Sequence, residues 1–204
     1  TCSHARITIT GICSPGMDKD WIIGDLQECT TKDVDIGTGG IILQVMDNQI
    51  HIDPGPGAVA RASDYDVNLR NSIAVLVSNN YLNHAGEINS VISSMSLGGL
   101  DRKGVLVCSK SAYEGYMDMD PMINKYYKNF LERDIVLEAG KRIGINEIEI
   151  VATRTENMDE DAIGFRITTP KFSFGYTSDT SDSKKLAEDY KGVDLMIFSC
   201  LGPG

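Results

Sequence analysis

The densest run of chemically useful side chains in this 204-residue chain is Ser78-Asn79-Asn80-Tyr81-Leu82-Asn83-His84-Ala85-Gly86. It follows the apolar run Ser72-Ile73-Ala74-Val75-Leu76-Val77 and precedes apolar residues at Ile88, Val91, Ile92 and Met95, a helical spacing. Those flanks make it a strand-to-helix loop, and open sheets keep their sites at the C-terminal ends of their strands. One imidazole supplies a nitrogen ligand or base, and three carboxamides supply neutral oxygen donors of the kind a hard cation accepts. Metal-dependent hydrolysis with zinc would ask for several histidines and aspartates in the same place.

Other candidates lie along the chain. Asp53 opens Asp53-Pro54-Gly55-Pro56-Gly57, a stiff loop in which Asp53 is either an orienting group or an ordinary turn residue. His51, two residues earlier, reads as a surface or packing residue, and His4 as exposed. Asp179 sits in the run Ser178-Asp179-Thr180. The acidic loops holding Asp118 and Asp120, and Asp159, Glu160 and Asp161, lack the ligand order of a calcium loop and read as solvated charge. Cys108-Ser109 has no histidine near it in sequence to make a nucleophile. Glu87 favours the dipole of the helix it begins.

These groups need elements to hold them. Residues 6–12 alternate Ile and Thr as an opening strand, and 17–36 form a turn-rich, irregular excursion anchored by Trp21-Ile22-Ile23. Gly37-Thr38-Gly39-Gly40 launches a strand over 41–46, Asp47-Asn48 makes a turn, and 49–53 returns. An undefined connection through Tyr65 and Arg70 leads to the strand over 72–77, then a helix over about 87–97 stopped by Gly98-Gly99. Further strands are expected over 104–108, 134–138, 147–152, 163–168, 172–177 and 193–198, with helices over 122–131 and 184–191. Helices between and beside short strands imply a layered sheet domain of the α/β or α+β class.

Length permits one domain, over 1–204, whose core needs no disulfides. A net charge of −10 repels polyanions, so nucleic acid is not an expected partner. No apolar run is long enough to span a bilayer, which leaves a membrane out. Cys2, Cys13, Cys29, Cys108 and Cys200 form no CxxC pair, and an odd count fits reduced, buried thiols and a cytoplasmic location.

Gly39-Gly40 opens a hairpin, Ile52-Asp53-Pro54-Gly55 closes it, an apolar strand ends in Ser78, and a loop finishing in His84-Ala85-Gly86 runs into a helix. This order resembles the first half of the metallo-β-lactamase fold superfamily. Phe174-Gly175-Tyr176-Thr177-Ser178-Asp179-Thr180, a helix, and Tyr190-Lys191-Gly192-Val193-Asp194-Leu195-Met196-Ile197 are similar to its second half, so the likeness runs from about residue 36 to 199. It implies an αββα sandwich whose last element is missing from this chain.

Hydrolytic members of that superfamily carry His-x-His-x-Asp-His after the strand, a further histidine later, and an aspartate in the Ser-Asp-Thr turn. Together these hold two metals that acidify a bridging water. By this resemblance the first two histidines fall on Asn79 and Tyr81, and the aspartate on Asn83; only the third histidine is kept, as His84. The fourth falls near Asn157, the bridging aspartate is Asp179, and a last histidine has no counterpart before Gly204.

Asn does not replace imidazole for zinc, and Tyr81 would ligate only as phenolate, against an ordinary pKa of about 10. The expected function is a metallo-β-lactamase-fold pseudoenzyme with a degenerate dinuclear site, a binding or structural subunit of an assembly, needing no cofactor. The alternative is a hydrolase in which Asn79, Asn83, His84, Asn157 and Asp179 hold one divalent hard cation or position water, with Asp53 and Tyr81 nearby. His84 and Asp179 would then be a remnant metal or proton-transfer pair, or simply a hydrogen-bonded one. Expected partners are other subunits or further copies of the chain. A third reading takes the chain as one piece of a longer protein.

Overall fold

Met46 and Asp47, at φ 49° and 63°, make the left-handed turn that folds β3 (Gly40–Val45) back on β4 (Asn48–Ile52). Two consecutive positive φ angles match the twist of a tight hairpin. The turn lies one residue earlier than Asp47-Asn48. Asn48 begins the return strand, and its side chain donates to the Met46 carbonyl at 2.9 Å. The computed structural model describes residues 6–11, 21–23, 39–181 and 186–200. They fall into two compact units, one drawn from Thr1–Cys13 and Glu28–Val136, the other from Ser14–Gln27 and Leu137–Gly204.

The first unit is built on a six-stranded sheet. With β1 (Arg6–Gly11), β5 (Ser72–Val77), β6 (Val105–Cys108) and β7 (Arg133–Val136), its order is β1-β3-β4-β5-β6-β7. The pairs β1–β3 and β3–β4 are antiparallel, and from β4 to β7 every pair is parallel. Parallel neighbours need crossovers. Here these are α1 (Ala58–Asp64), then α2 (Leu82–Ala85) with α3 (Ile88–Met95), then α4 (Lys110–Glu114) with α5 (Lys125–Lys128).

Ile88, Val91, Ile92 and Met95 of α3 are all buried, as their spacing demands. They join Ile42, Val75, Val77, Leu106 and Cys108 from the strands and Ala58, Ala62 and Ala85 from the shorter helices in one apolar core. The 122–131 helix shrinks to the four residues of α5, because Asn124 caps a start in mid-segment with its side chain accepting from the Tyr126 N–H. The undefined connection resolves into α1 and a single 3-10 turn at Leu69–Asn71.

The second unit carries a sheet of order β2-β12-β11-β10-β9-β8. Its strands are β2 (Trp21–Ile23), β8 (Arg142–Ile145), β9 (Ile148–Arg154), β10 (Ile163–Thr168), β11 (Ser173–Thr180) and β12 (Leu195–Cys200). Only β11–β12 is parallel. Trp21–Ile23 is therefore not an irregular anchor but an edge strand paired with β12, and β8 is a strand that sequence alone did not signal. α6 (Leu186–Asp189) ends two residues before the expected 191, with Tyr190 and Lys191 in a turn, and Tyr190 lies across the sheet. A Cβ at Gly164 or Gly175 would overlap its ring or hydroxyl, and that hydroxyl donates to the Tyr176 carbonyl at 2.8 Å. Among the described residues no helix is long and apolar enough to cross a membrane.

Gly40 sits at φ 86° where a Cβ would overlap the carbonyl oxygens of Ile52 and Asp53. Gly40→Ala combines backbone strain with a clash against main chain that has nowhere to go. Loss of at least about 2 kcal/mol of stability is expected, read from urea unfolding midpoints.

Candidate functional site

Asp53 ends β4 in a left-handed conformation, φ 50°, and its backbone N–H still pairs with the Leu76 carbonyl of β5 at 2.8 Å. The twist swings its carboxylate toward the end of β5. There Oδ1 accepts the Ser78 backbone N–H at 2.7 Å and Oδ2 accepts the Ser78 hydroxyl at 2.6 Å. The same Oδ2 accepts His84 Nδ1 at 2.7 Å, and all three residues are buried. A carboxylate here can only accept, so Nδ1 carries a proton and donates it to Asp53.

Aspartate, histidine and serine thus meet, but not as a nucleophilic triad. The Ser78 hydroxyl and the His84 ring both act on one Asp53 oxygen, and Ser78 Oγ is 3.5 Å from Nδ1. A triad needs the hydroxyl on the ring nitrogen opposite the carboxylate. What this arrangement does is orient an imidazole.

The rest of the loop is held by its own carboxamides. Asn79 is buried; its Oδ1 accepts the Tyr81 N–H at 3.0 Å, an Asx turn, and its Nδ2 faces Ser78 Oγ at 3.3 Å. Asn80 is buried too and clamps a neighbouring segment from both sides, donating to the Asp120 carbonyl at 3.0 Å and accepting the Met122 N–H at 2.9 Å. The Tyr81 ring packs edge-on against Tyr116 with centroids 6.4 Å apart. Asn83 is half-buried on α2 beside His84.

Ser78, Asn80 and Glu87 are members that sequence reading missed or misassigned. Ser78 could have been suspected as the first polar residue after a buried strand. The Glu87 carboxylate serves a helix other than its own. It accepts the Gly57 and Val59 N–H groups at 2.9 and 3.0 Å, at the start of α1, while its backbone N–H donates to the Pro54 carbonyl.

In the second unit, Asp179 lies on β11 where the pairing with β12 shifts register beside Ser178 at φ 59°. Its Oδ1 accepts the Ser199 hydroxyl at 2.8 Å. Asn157 is next to it. Its side chain donates to the Asp179 backbone carbonyl at 3.0 Å and accepts the Asp159 N–H at 3.1 Å. Asp53 and His84 are thus brought together within one unit, and Asn157 and Asp179 within the other.

Neighbouring candidates resolve plainly. Burial raises the Cys108 thiol to about 12, so it is an inert core residue. His4 lies outside the described residues.

The chain has the metallo-β-lactamase fold. The structural neighbours that decide this include the metallo-β-lactamase fold protein YhfI from Bacillus subtilis, matched at TM-score 0.66 and 15% identity over 95% of this chain and 69% of that one. Zn(2+)-bound PqqB from Methylobacterium extorquens matches at TM-score 0.57 and 12% identity, over 76% of this chain and 57% of that one. By sequence, an uncharacterised protein of Methanocaldococcus jannaschii, MJ1374, is 31% identical over 160 residues, 78% of this chain. The chain spans 60% of the length of that relative. No family model matches. Within this fold, Asn79 lies in the loop that follows β5, and His84 lies on α2 directly after it.

Of the two readings of His51, surface or packing, it is a packing residue, wholly buried in β4 between Ile42 and Val75 on the flanking strands. Its Nε2 donates to the Gly39 carbonyl at 3.0 Å, and Nδ1 has no hydrogen-bond partner among the described residues. Desolvation pushes its pKa down to about 4, against weaker upward pulls from the Gly39 carbonyl, Asp53 and Glu87. The unfolded chain takes up this proton near its ordinary value of about 6.5, so the unfolded state binds more protons between the two values. Stability contributed by the neutral ring is intact above about pH 6.5, falls by about 3 kcal/mol as pH drops toward 4, and then levels. His51→Gln should flatten that part of the profile, measured as the difference between the two proteins' unfolding midpoints across the window. In the polar cluster, Asp53→Ala leaves three buried donors without their acceptor. It should cost about 3 kcal/mol, against about 1 kcal/mol for Ser78→Ala in the same denaturation assay.

Proposed function

We propose that this chain is a non-catalytic metallo-β-lactamase-fold protein, a binding or structural subunit that works with other subunits or with copies of itself. The observation that carries the reading is Asn79. At the position matched to the first metal-binding histidine, its carboxamide oxygen accepts the Tyr81 N–H at 3.0 Å, so the group that would face a cation turns the loop instead.

Asn157 supports it in the same way, with both ends of its amide committed to the backbone of its own unit. Zinc does not fit this donor set. Among the described residues no three His, Cys, Asp or Glu side chains gather where they could hold a metal ion, and carboxamides are poor zinc ligands.

A second reading draws on one observation, the Asp53–His84 pair. An imidazole fixed by a carboxylate at Nδ1 is oriented to use Nε2 as a base or as one ligand of a hard cation. A hydrolase with such a rebuilt site would lose its activity in His84→Ala.

Zinc retention and hydrolytic activity, measured together, separate the two. After loading with zinc and exhaustive dialysis, the protein is expected to keep far less than one equivalent by atomic emission. Asn79→Ala should leave that content unchanged and cost about 1 kcal/mol of stability. Retention near one equivalent, or a hydrolytic activity abolished by His84→Ala in a folded protein, would overturn the non-catalytic reading.

A further inference from the structure

The first unit has a second concavity, beside the hairpin turn at the opposite end of β4 from Asp53. A cavity of about 500 Å³ opens there, walled by Gln44, Asp47, Asn48, Gln49, Asn71 and Lys103. That volume suits a small organic molecule, and a wall this polar selects a polar one.

The wall is braced from behind. Buried Gln49 donates to the Asn68 carbonyl at 3.0 Å and to the Ser72 hydroxyl at 2.8 Å, and its own carbonyl accepts Gln44 Nε2 at 2.8 Å. Gln44 is thereby set in place with its own carbonyl and second amide hydrogen still to be used. The Lys103 ammonium donates to the Arg70 carbonyl, which fixes it at the wall and leaves its remaining N–H donors without partners among the described residues. Asp47 is held opposite in character by the left-handed turn it shares with Met46. Among the described residues the Asn71 carboxamide makes no side-chain hydrogen bond.

One anchored cation, one exposed carboxylate on a tight turn and several carboxamides around one cavity do not suit a simple anion, which Asp47 repels, or a simple cation, which Lys103 repels. They suit a ligand that carries both charges with an amide-bearing body between them. We infer that this cavity binds a small peptide-like zwitterion, its carboxylate at Lys103 and its ammonium at Asp47, with Gln44 and Asn71 hydrogen-bonding the body. The site is independent of the Asp53–Ser78–His84 cluster and stands whether or not that cluster is catalytic.

Glycylglycine titrated into isotopically labelled protein is expected to shift the side-chain amide signals of Gln44 and Asn71 saturably. N-acetylglycylglycine, which lacks the ammonium, and glycylglycine amide, which lacks the carboxylate, should each bind about fivefold more weakly. The intact dipeptide should weaken to a similar extent against Lys103→Met and against Asp47→Asn. Absence of a saturable shift with the dipeptide overturns the inference. So does equal binding of the dipeptide and its two one-charge analogues, a comparison made wholly on the unmodified protein.

Discussion

The structure at the C-terminal end of the first sheet depends on one buried carboxylate. Asp53 accepts a backbone N–H, a hydroxyl and an imidazole N–H, and through them it ties the end of β4 to the end of β5 and to α2. A carboxylate taken from water at this depth is tolerated only when its oxygens are fully engaged by well-aligned donors. That requirement explains the left-handed backbone at Asp53. An extended residue there would continue the strand and aim the side chain along the sheet face, away from Ser78.

A second carboxylate completes the frame. Glu87 binds two amides at the start of α1 and hands its own N–H to Pro54, so the proline-rich loop is held at both ends by groups from the α2–α3 junction. With the loop pinned, the short helix α2 can present His84 at a fixed angle although four residues of helix have little stability of their own. The asparagines then close what is left. Asn79 turns the chain and Asn80 fastens a neighbouring segment, both using the donor and acceptor that a carboxamide carries side by side on one carbon of a short side chain.

The two polar regions of the first unit differ in how their groups are spent. Around Asp53 the donors and acceptors satisfy one another, which makes a rigid, inward-facing cluster. Around the hairpin turn the inner layer, Gln49, is satisfied, while Gln44, Asn71 and Lys103 hold polar atoms toward open space. Satisfied clusters stabilise; a braced wall with unspent groups is what a ligand can use.

By itself the sequence determined the class of the molecule and the order of its parts. The apolar run at 72–77, the spacing of Ile88, Val91, Ile92 and Met95, and the Gly39-Gly40 and Asp53-Pro54-Gly55 punctuation are local signals, set by side-chain periodicity and by which residues tolerate unusual φ. They placed the segment that carries Asn79 and His84 directly after the 72–77 strand. Only tertiary structure decided what those residues touch. His84 takes Asp53, Asp179 takes Ser199, Glu87 caps a helix thirty residues away, and Trp21–Ile23 becomes an edge strand of the second sheet. Each of these is a contact between segments distant in sequence, chosen because a buried donor or acceptor must find a partner wherever the fold happens to bring one. No local pattern encodes such a choice.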